Sequence, residues 1–243
     1  MLFRHLSQIL AVVGTASAAP KPQYLNFDDV VLFNSDGTTN IVKESEYQDL
    51  VARGHLEAPA PRSLPPTAAA VSSSSSSGEK HRRCDDSNEV QITSDTSFLN
   101  WDVAMSPVVS AQGGDATVSV ANGYSLANDV TTTQGVSVSS LESILQVSLQ
   151  VSYSQTWTST ETQTLLYKVP DGQFGLVVSQ PRVRRVQGNY ITGCVDDPVK
   201  NPFTSDTYTN QTYGNLNWVQ GIIRLCNNTV YPVPYCIGEG THS

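Results

Sequence analysis

The chain has 243 residues, a formal net charge of −8 and only 15% charged side chains. That length allows one or two domains with a real core. No Lys/Arg-rich face is available to neutralise phosphates, so nucleic-acid binding is excluded as a working expectation.

Residues 1–83 carry 8 basic and 8 acidic side chains, and residues 84–243 carry 6 and 14, so the whole negative charge falls in the second part. That part leans on Ser, Thr, Val, Gly and Asn, a composition that favours strands and turns.

Taken in chain order, the first element is a leader. Arg4 and His5 precede an apolar run, Ile9, Leu10, Ala11, Val12 and Val13, and then the small residues 14–19 and Pro20. This is the layout of a secretory signal peptide over 1–18, with cleavage after Ala18. The run is far shorter than the roughly 20 apolar residues that a membrane-spanning helix needs. The expected location is therefore secreted and extracellular.

Residues 19–57 read as a small pro-region-like module. A strand at 30–33, a turn at 34–37, a returning strand at 41–42 and a short helix over 44–53 are expected, and such a unit is too small for much of a core of its own. Residues 58–83 follow as a disordered linker: four prolines, an alanine triplet and six consecutive serines cannot bury enough surface to offset chain entropy. The linker closes on Arg82 and Arg83, a dibasic pair suited to processing by a secretory-pathway protease.

Residues 84–243 form the main, disulfide-stabilised domain. Short β-type runs at 116–120, 136–138, 145–169, 175–179, 189–192 and 218–225 are separated by Gly, Asn, Asp and Pro, and no run reads as a long helix. The fold class is all-β: a sandwich or an elongated antiparallel sheet with a long Ser/Thr-rich hairpin. In the clearest run, Leu145, Val147, Leu149, Val151 and Tyr153 alternate with Gln146, Ser148, Gln150, Ser152 and Ser154. Strict period two predicts one long strand with the first set on the core and the second facing out. Ser and Thr make up 16 of the 34 residues 131–164.

Four cysteines, Cys84, Cys194, Cys226 and Cys236, lie beyond the leader. In an oxidising compartment they read as two disulfides, with three connectivities open. Cys226 and Cys236 enclose nine residues, so their local pairing closes the cheapest loop and leaves Cys84 for Cys194. No CxxC occurs and His242 is the only histidine after residue 84, so no metal site and no cofactor are expected. Two N-x-S/T acceptors, at Asn210 and Asn227, are expected N-glycosylation positions behind a signal peptide.

No catalytic set is expected. A Ser-His-Asp or Cys-His site would have to draw on His242 at the chain end. Asp102, Asp115, Asp129, Glu142 and Glu161 are the carboxylates from which a glycoside-hydrolase pair could be drawn, but they sit in no recognisable motif. The aromatics Trp101, Trp157, Trp218, Tyr208, Tyr213, Tyr231 and Tyr235 suggest a sugar or peptide platform, although Trp101 and Trp218, flanked by apolar residues, read better as core anchors.

The order of segments resembles the secreted effector-like proteins of plant-associated filamentous fungi. The matching pieces are 98–103 (FLNWDV), 122–125 (NGYS), 169–175 (VPDGQFG), 193–194 (GC), 216–223 (LNWVQGII) and 231–236 (YPVPYC). That resemblance implies secretion and a role at a host interface, and it brings no catalytic residues. A second resemblance, confined to about 130–180, is to aerolysin-type pore-forming domains, whose amphipathic Ser/Thr-rich hairpins assemble into a barrel. Such a barrel must close, because an open strand edge in lipid leaves backbone groups unpaired.

The functional expectation is a secreted, non-catalytic protein that binds an extracellular or host protein or glycan. The alternatives are a β-pore former, which alone brings membrane contact, and a carboxylate-dependent hydrolase of extracellular polysaccharide.

Overall fold

In the computed structural model, residues 21–56 (except 35 and 37) and 86–243 (except 133–135, 161 and 195–196) are described. The expected signal peptide with its cut after Ala18, the linker, the processing pair Arg82–Arg83, Cys84 and Glu161 lie outside the described residues.

The elements run β1 (Gln23–Leu25), β2 (Asp29–Phe33), β3 (Thr39–Lys43), α1 (Glu44–Ala52), β4 (Asp86–Leu99), β5 (Val103–Ala104), β6 (Val109–Ser110), β7 (Ala116–Val120), β8 (Ser125–Ala127) and β9 (Asp129–Thr132). They continue with α2 (Val138–Leu149), β10 (Thr156–Thr158), β11 (Thr162–Val169), β12 (Phe174–Cys194), β13 (Asp197–Tyr208), β14 (Asn210–Tyr213), β15 (Leu216–Val219), β16 (Gly221–Asn228), β17 (Val233–Pro234) and β18 (Thr241–His242). The all-β expectation holds: the two helices among the described residues are short.

Strand β12, 21 residues long, organises the molecule. Its first part, 174–181, pairs antiparallel with β16, which carries β2 and then β3 outward. Its second part, 182–194, lies between β4 and β13, and β13 carries β9. A smaller sheet, β1-β11-β7, faces the first part. Strand alternation fills the space between. Val31, Phe33, Val177, Ile223 and Leu225 from one sheet meet Leu25, Val118, Val120, Leu165, Tyr167 and Val169 from the other. The Tyr167 hydroxyl crosses this sandwich to donate to the Ile223 carbonyl at 2.9 Å.

Strands β2 and β3 and helix α1 form where the sequence asks for them, and β1 and β2 supply Leu25, Val31 and Phe33 to this same core. On the opposite face of the large sheet, Val30, Leu32 and Ile222 pack with Leu99 and with Tyr47 of α1. A strand that is buried on both faces and paired on both edges is interior structure.

Strand β4 bulges opposite Gln187–Gly188, where its register shifts by one residue and the Thr93 hydroxyl donates to the Gln187 carbonyl. Gly188 fits here because a Cβ would come within 2.3 Å of the Gln91 carbonyl and 2.8 Å of the Phe203 ring.

Two local expectations fail. The runs at 136–138 and 145–169 do not make strands as read. Helix α2 covers 138–149, a turn and loop follow, and only 156–158 and 162–169 are extended. The reason is a second periodicity. Leu141, Ile144, Leu145 and Leu149 fall at helical spacing, and the helix lays them on Val130, Val186, Tyr190 and Phe203 of the sheet. Positions 145 and 149 satisfy both periods, whereas Val147 belongs only to the strand pattern and is 81% exposed. The Ser143 and Ser148 hydroxyls donate back to the Ser139 and Ile144 carbonyls, which satisfies them inside the helix. The expected hairpin is also absent among the described residues: the 170–172 turn carries the chain from β11 in one sheet to β12 in the other.

Candidate functional site

Cys226 and Cys236 form the expected local disulfide. Cys194 is disulfide-bonded as well, and among the described residues no cysteine is free.

The C-terminal segment is clasped by Asp102. Its buried carboxylate accepts from the Gln180 side-chain amide at 2.6 Å, the Cys236 N–H at 2.6 Å and the Ile237 N–H at 3.2 Å. His242 Nε2 lies 3.6 Å away, and the His242 ring stacks on Tyr235 with centroids 4.3 Å apart. Asp102, His242 and Cys226 bring ligand-type atoms within 4.8 Å of one another. The Cys226 sulfur, however, is held in a disulfide and offers no thiolate, so this is a structural clasp and a poor metal cage.

The other expected carboxylates are spread out. Asp115 is ion-paired with Lys168 at 2.6 Å, which holds its carboxyl below the usual range. Asp129 stands in the β9–β13 ladder opposite Asp206, and Glu142 is on α2.

The aromatics divide in the same way. Trp218 is buried, with its indole N–H donating to the Ser179 hydroxyl at 3.0 Å, as expected of a core anchor. Trp101 is half-buried, with Gly238 against its ring. Tyr213 packs edge-on against Phe33, and Tyr231 lies tilted on Phe174. Among the described residues Trp157, which is buried, meets Tyr208 edge to face with centroids 6.2 Å apart, and both belong to the hydrophobic cluster that holds Trp218.

Trp157 and Tyr208 line a groove of about 650 Å³. Its walls come from the end of α2 (Leu149) and the loop after it (Gln150, Val151, Ser152, Gln155), from Arg182 and Arg184 of β12, from Thr207, Tyr208 and Thr209, and from Asn128, Asn210 and Asn217. Two local features build it. Gln150 takes the left-handed conformation at the end of α2 (φ 55°), which turns the chain over the sheet. Asn128 then staples the loop: its side-chain amide donates to the Ser152 carbonyl at 2.8 Å and accepts the Tyr208 N–H at 2.8 Å.

The groove lining carries two guanidiniums and no carboxylate, in a chain of net charge −8. Arg184 makes a two-pronged pair with Asp95 at 3.0 and 2.7 Å, which fixes the guanidinium plane and holds the Asp95 carboxyl below the usual range. Burial pushes the Tyr208 phenol up to about 12, so at neutral pH it is a neutral hydrogen-bonding group, and Asn100 donates to its oxygen at 3.3 Å. At the rim, the Trp157 indole N–H donates to Asn210 Oδ1 at 3.1 Å. The remaining lining is amide and hydroxyl, which both donate and accept.

Sequence reasoning reached Trp157, Tyr208 and Asn210 but not Arg182, Arg184 or Asn128. Arginine on a strand carries no motif, and the sequence of the loop that faces these residues has the alternation of a strand. No protein-family model matches the chain, and no curated protein or solved structure matches it.

Proposed function

We propose that the protein is a secreted, effector-like binding protein that acts at an extracellular or host interface without catalysis, and that its groove takes an oligosaccharide. The observation that carries this reading is the groove lining. The half-buried Tyr208 ring, backed by the buried Trp157, gives the groove an apolar floor, and two arginines with a ring of Asn, Gln, Ser and Thr side chains offer donors and acceptors to sugar hydroxyls. Secretion is supported by the N-terminal leader, by the Cys226–Cys236 disulfide and by the absence, among the described residues, of any helix long and apolar enough to cross a membrane.

The test is calorimetric titration of aglycosylated protein, made in an oxidising bacterial compartment, with chitin, β-glucan, xylan and galacturonan oligosaccharides. Saturable binding to one class, weakened about fivefold or more in Arg184→Ala and Asn217→Ala, is the expected result; each loses a hydrogen bond worth about 1–3 kcal/mol. No binding across the panel would overturn it.

One observation favours a second reading, a β-pore former. The run whose period-two pattern asks for a strand is folded as the end of a helix and a loop, so the segment around 138–153 carries a sequence suited to two conformations. Under this reading α2 leaves the sheet and its segment pairs in a closed barrel. Dye release from sterol-containing or anionic vesicles is its signature, and vesicles that stay sealed remove it.

A further inference from the structure

The two glycosylation sequons sit in unlike surroundings. Asn210 is exposed at the start of β14, and Thr212, on the same face of the strand, is exposed with it. The Asn210 oxygen is held by the Trp157 indole N–H at 3.1 Å. An indole only donates, so this bond fixes which branch of the carboxamide is oxygen and leaves Nδ2 on the branch away from the indole. A sugar on Nδ2 keeps the amide oxygen as an acceptor, so the Trp157 bond survives glycosylation. Asn227 differs on each point. It is half-buried in β16, paired with Gly175 of β12, next to the Cys226 disulfide, and its Nδ2 already donates to the Gln173 side-chain oxygen. A sugar there must displace Gln173 from a packed sheet.

Because Asn210 lines the groove beside Tyr208, we propose that Asn210 carries the N-linked glycan in preference to Asn227, and that its first sugar stands in the mouth of the groove and gates the site. The gating rests on the oligosaccharide-binding reading; the choice of Asn210 does not. The step is the ordinary transfer from a polyprenyl-pyrophosphate-linked oligosaccharide. Asn210 Nδ2 attacks the anomeric carbon, the N–C1 bond forms, and the C1–O bond breaks with its electron pair leaving on the pyrophosphate. The nitrogen's proton passes to a base of the transferase.

The test uses the full chain secreted from a eukaryotic host, with Thr212→Ala and Thr229→Ala alongside it. Glycopeptide mapping should find sugar at Asn210 in the parent and in Thr229→Ala, and none at Asn210 in Thr212→Ala. Amide hydrogen exchange over 149–157 should be at least about threefold slower in the parent than in Thr212→Ala, because a glycan in the groove mouth covers that loop. Sugar mapped mainly to Asn227, or an unmodified Asn210, overturns the assignment. Sugar on Asn210 with equal exchange in both proteins overturns the gating. Neither result bears on the titration of aglycosylated protein, so failure of the groove reading is seen separately.

Discussion

The Arg224 guanidinium meets the Glu44 carboxylate at 2.8 Å and so ties helix α1, near the N-terminus, to strand β16, near the C-terminus. Both side chains are largely buried, and the pair sits beside Tyr47, whose phenol burial pushes up. Removing either partner of such a pair leaves the other charge without compensation in a poorly solvated place.

The first prediction concerns what holds residues 21–56 in place. Strand β2 bonds to β16 over 221–224 and supplies buried Val31 and Phe33 to the sandwich. A chain cut at a single protease site introduced within 57–85 should therefore run as one particle of unchanged size in gel filtration. Val31→Asp should lower the stability of the whole protein by more than about 3 kcal/mol, since it buries an unpaired charge. Separation of the two fragments in dilute buffer, or a main unfolding transition untouched by Val31→Asp, would show that this segment is peripheral.

The second prediction separates helix from strand over 138–149. Leu145→Ala removes a fully buried side chain and should cost about 2–4 kcal/mol. Val147→Asp changes a side chain that is 81% exposed and should fall within about 0.5 kcal/mol of the parent. A strand would bury both residues equally, so equal losses in thermal melts would reinstate it.

The same residues show how far the sequence could be read. Strands β2, β3, β7 and much of β12 and β16 were legible because their alternation or apolar runs are bounded by turn residues and are matched by one period only. Helix α1 was legible from its acidic start and its closing Gly54. Helix α2 was not, because Leu145 and Leu149 obey periods of 2 and 3.6 together. What decides between them is the apolar surface of Val186, Tyr190 and Phe203, which lies 37 to 58 residues away in sequence. The groove was half legible for the same reason: Trp157, Tyr208 and Asn210 stand out as residue types, but the loop that walls them depends on how α2 ends.

The third prediction concerns Asp102. Three donors converge on its carboxylate, two of them backbone N–H groups of the C-terminal segment. Asp102→Ala leaves these buried donors unpaired and should cost roughly 3 kcal/mol or more. Exchange at Cys236 and Ile237 should rise well before global unfolding. Asp102→Asn keeps an acceptor oxygen and should recover part of the loss. If all three proteins exchange alike at 236–237, the clasp is not what holds this segment.

The last prediction is a stability change at high pH. Burial raises the Tyr208 phenol from an ordinary value near 10 to about 12, and the fully buried Tyr167 phenol is pushed up as well. The sign follows from proton binding. Below the unfolded value both states hold the proton, and the tyrosines add no pH dependence. Above it the unfolded chain ionises first, so the folded state binds more protons and stability falls as pH rises. The window for Tyr208 opens near 10 and closes near 12, with a slope of about 1.4 kcal/mol per pH unit for each tyrosine held neutral. Denaturant melts from pH 9 to pH 12 should show this decline, and Tyr208→Phe, which cannot ionise in either state, should make it shallower by one such slope. Difference absorbance at 295 nm should show one phenolate fewer formed below pH 11 in the folded parent than in its unfolded chain for each protected ring. A folded protein in which every tyrosine ionises at about pH 10 would show that Tyr208 is open to solvent and that the groove is looser than its Trp157–Tyr208 contact implies.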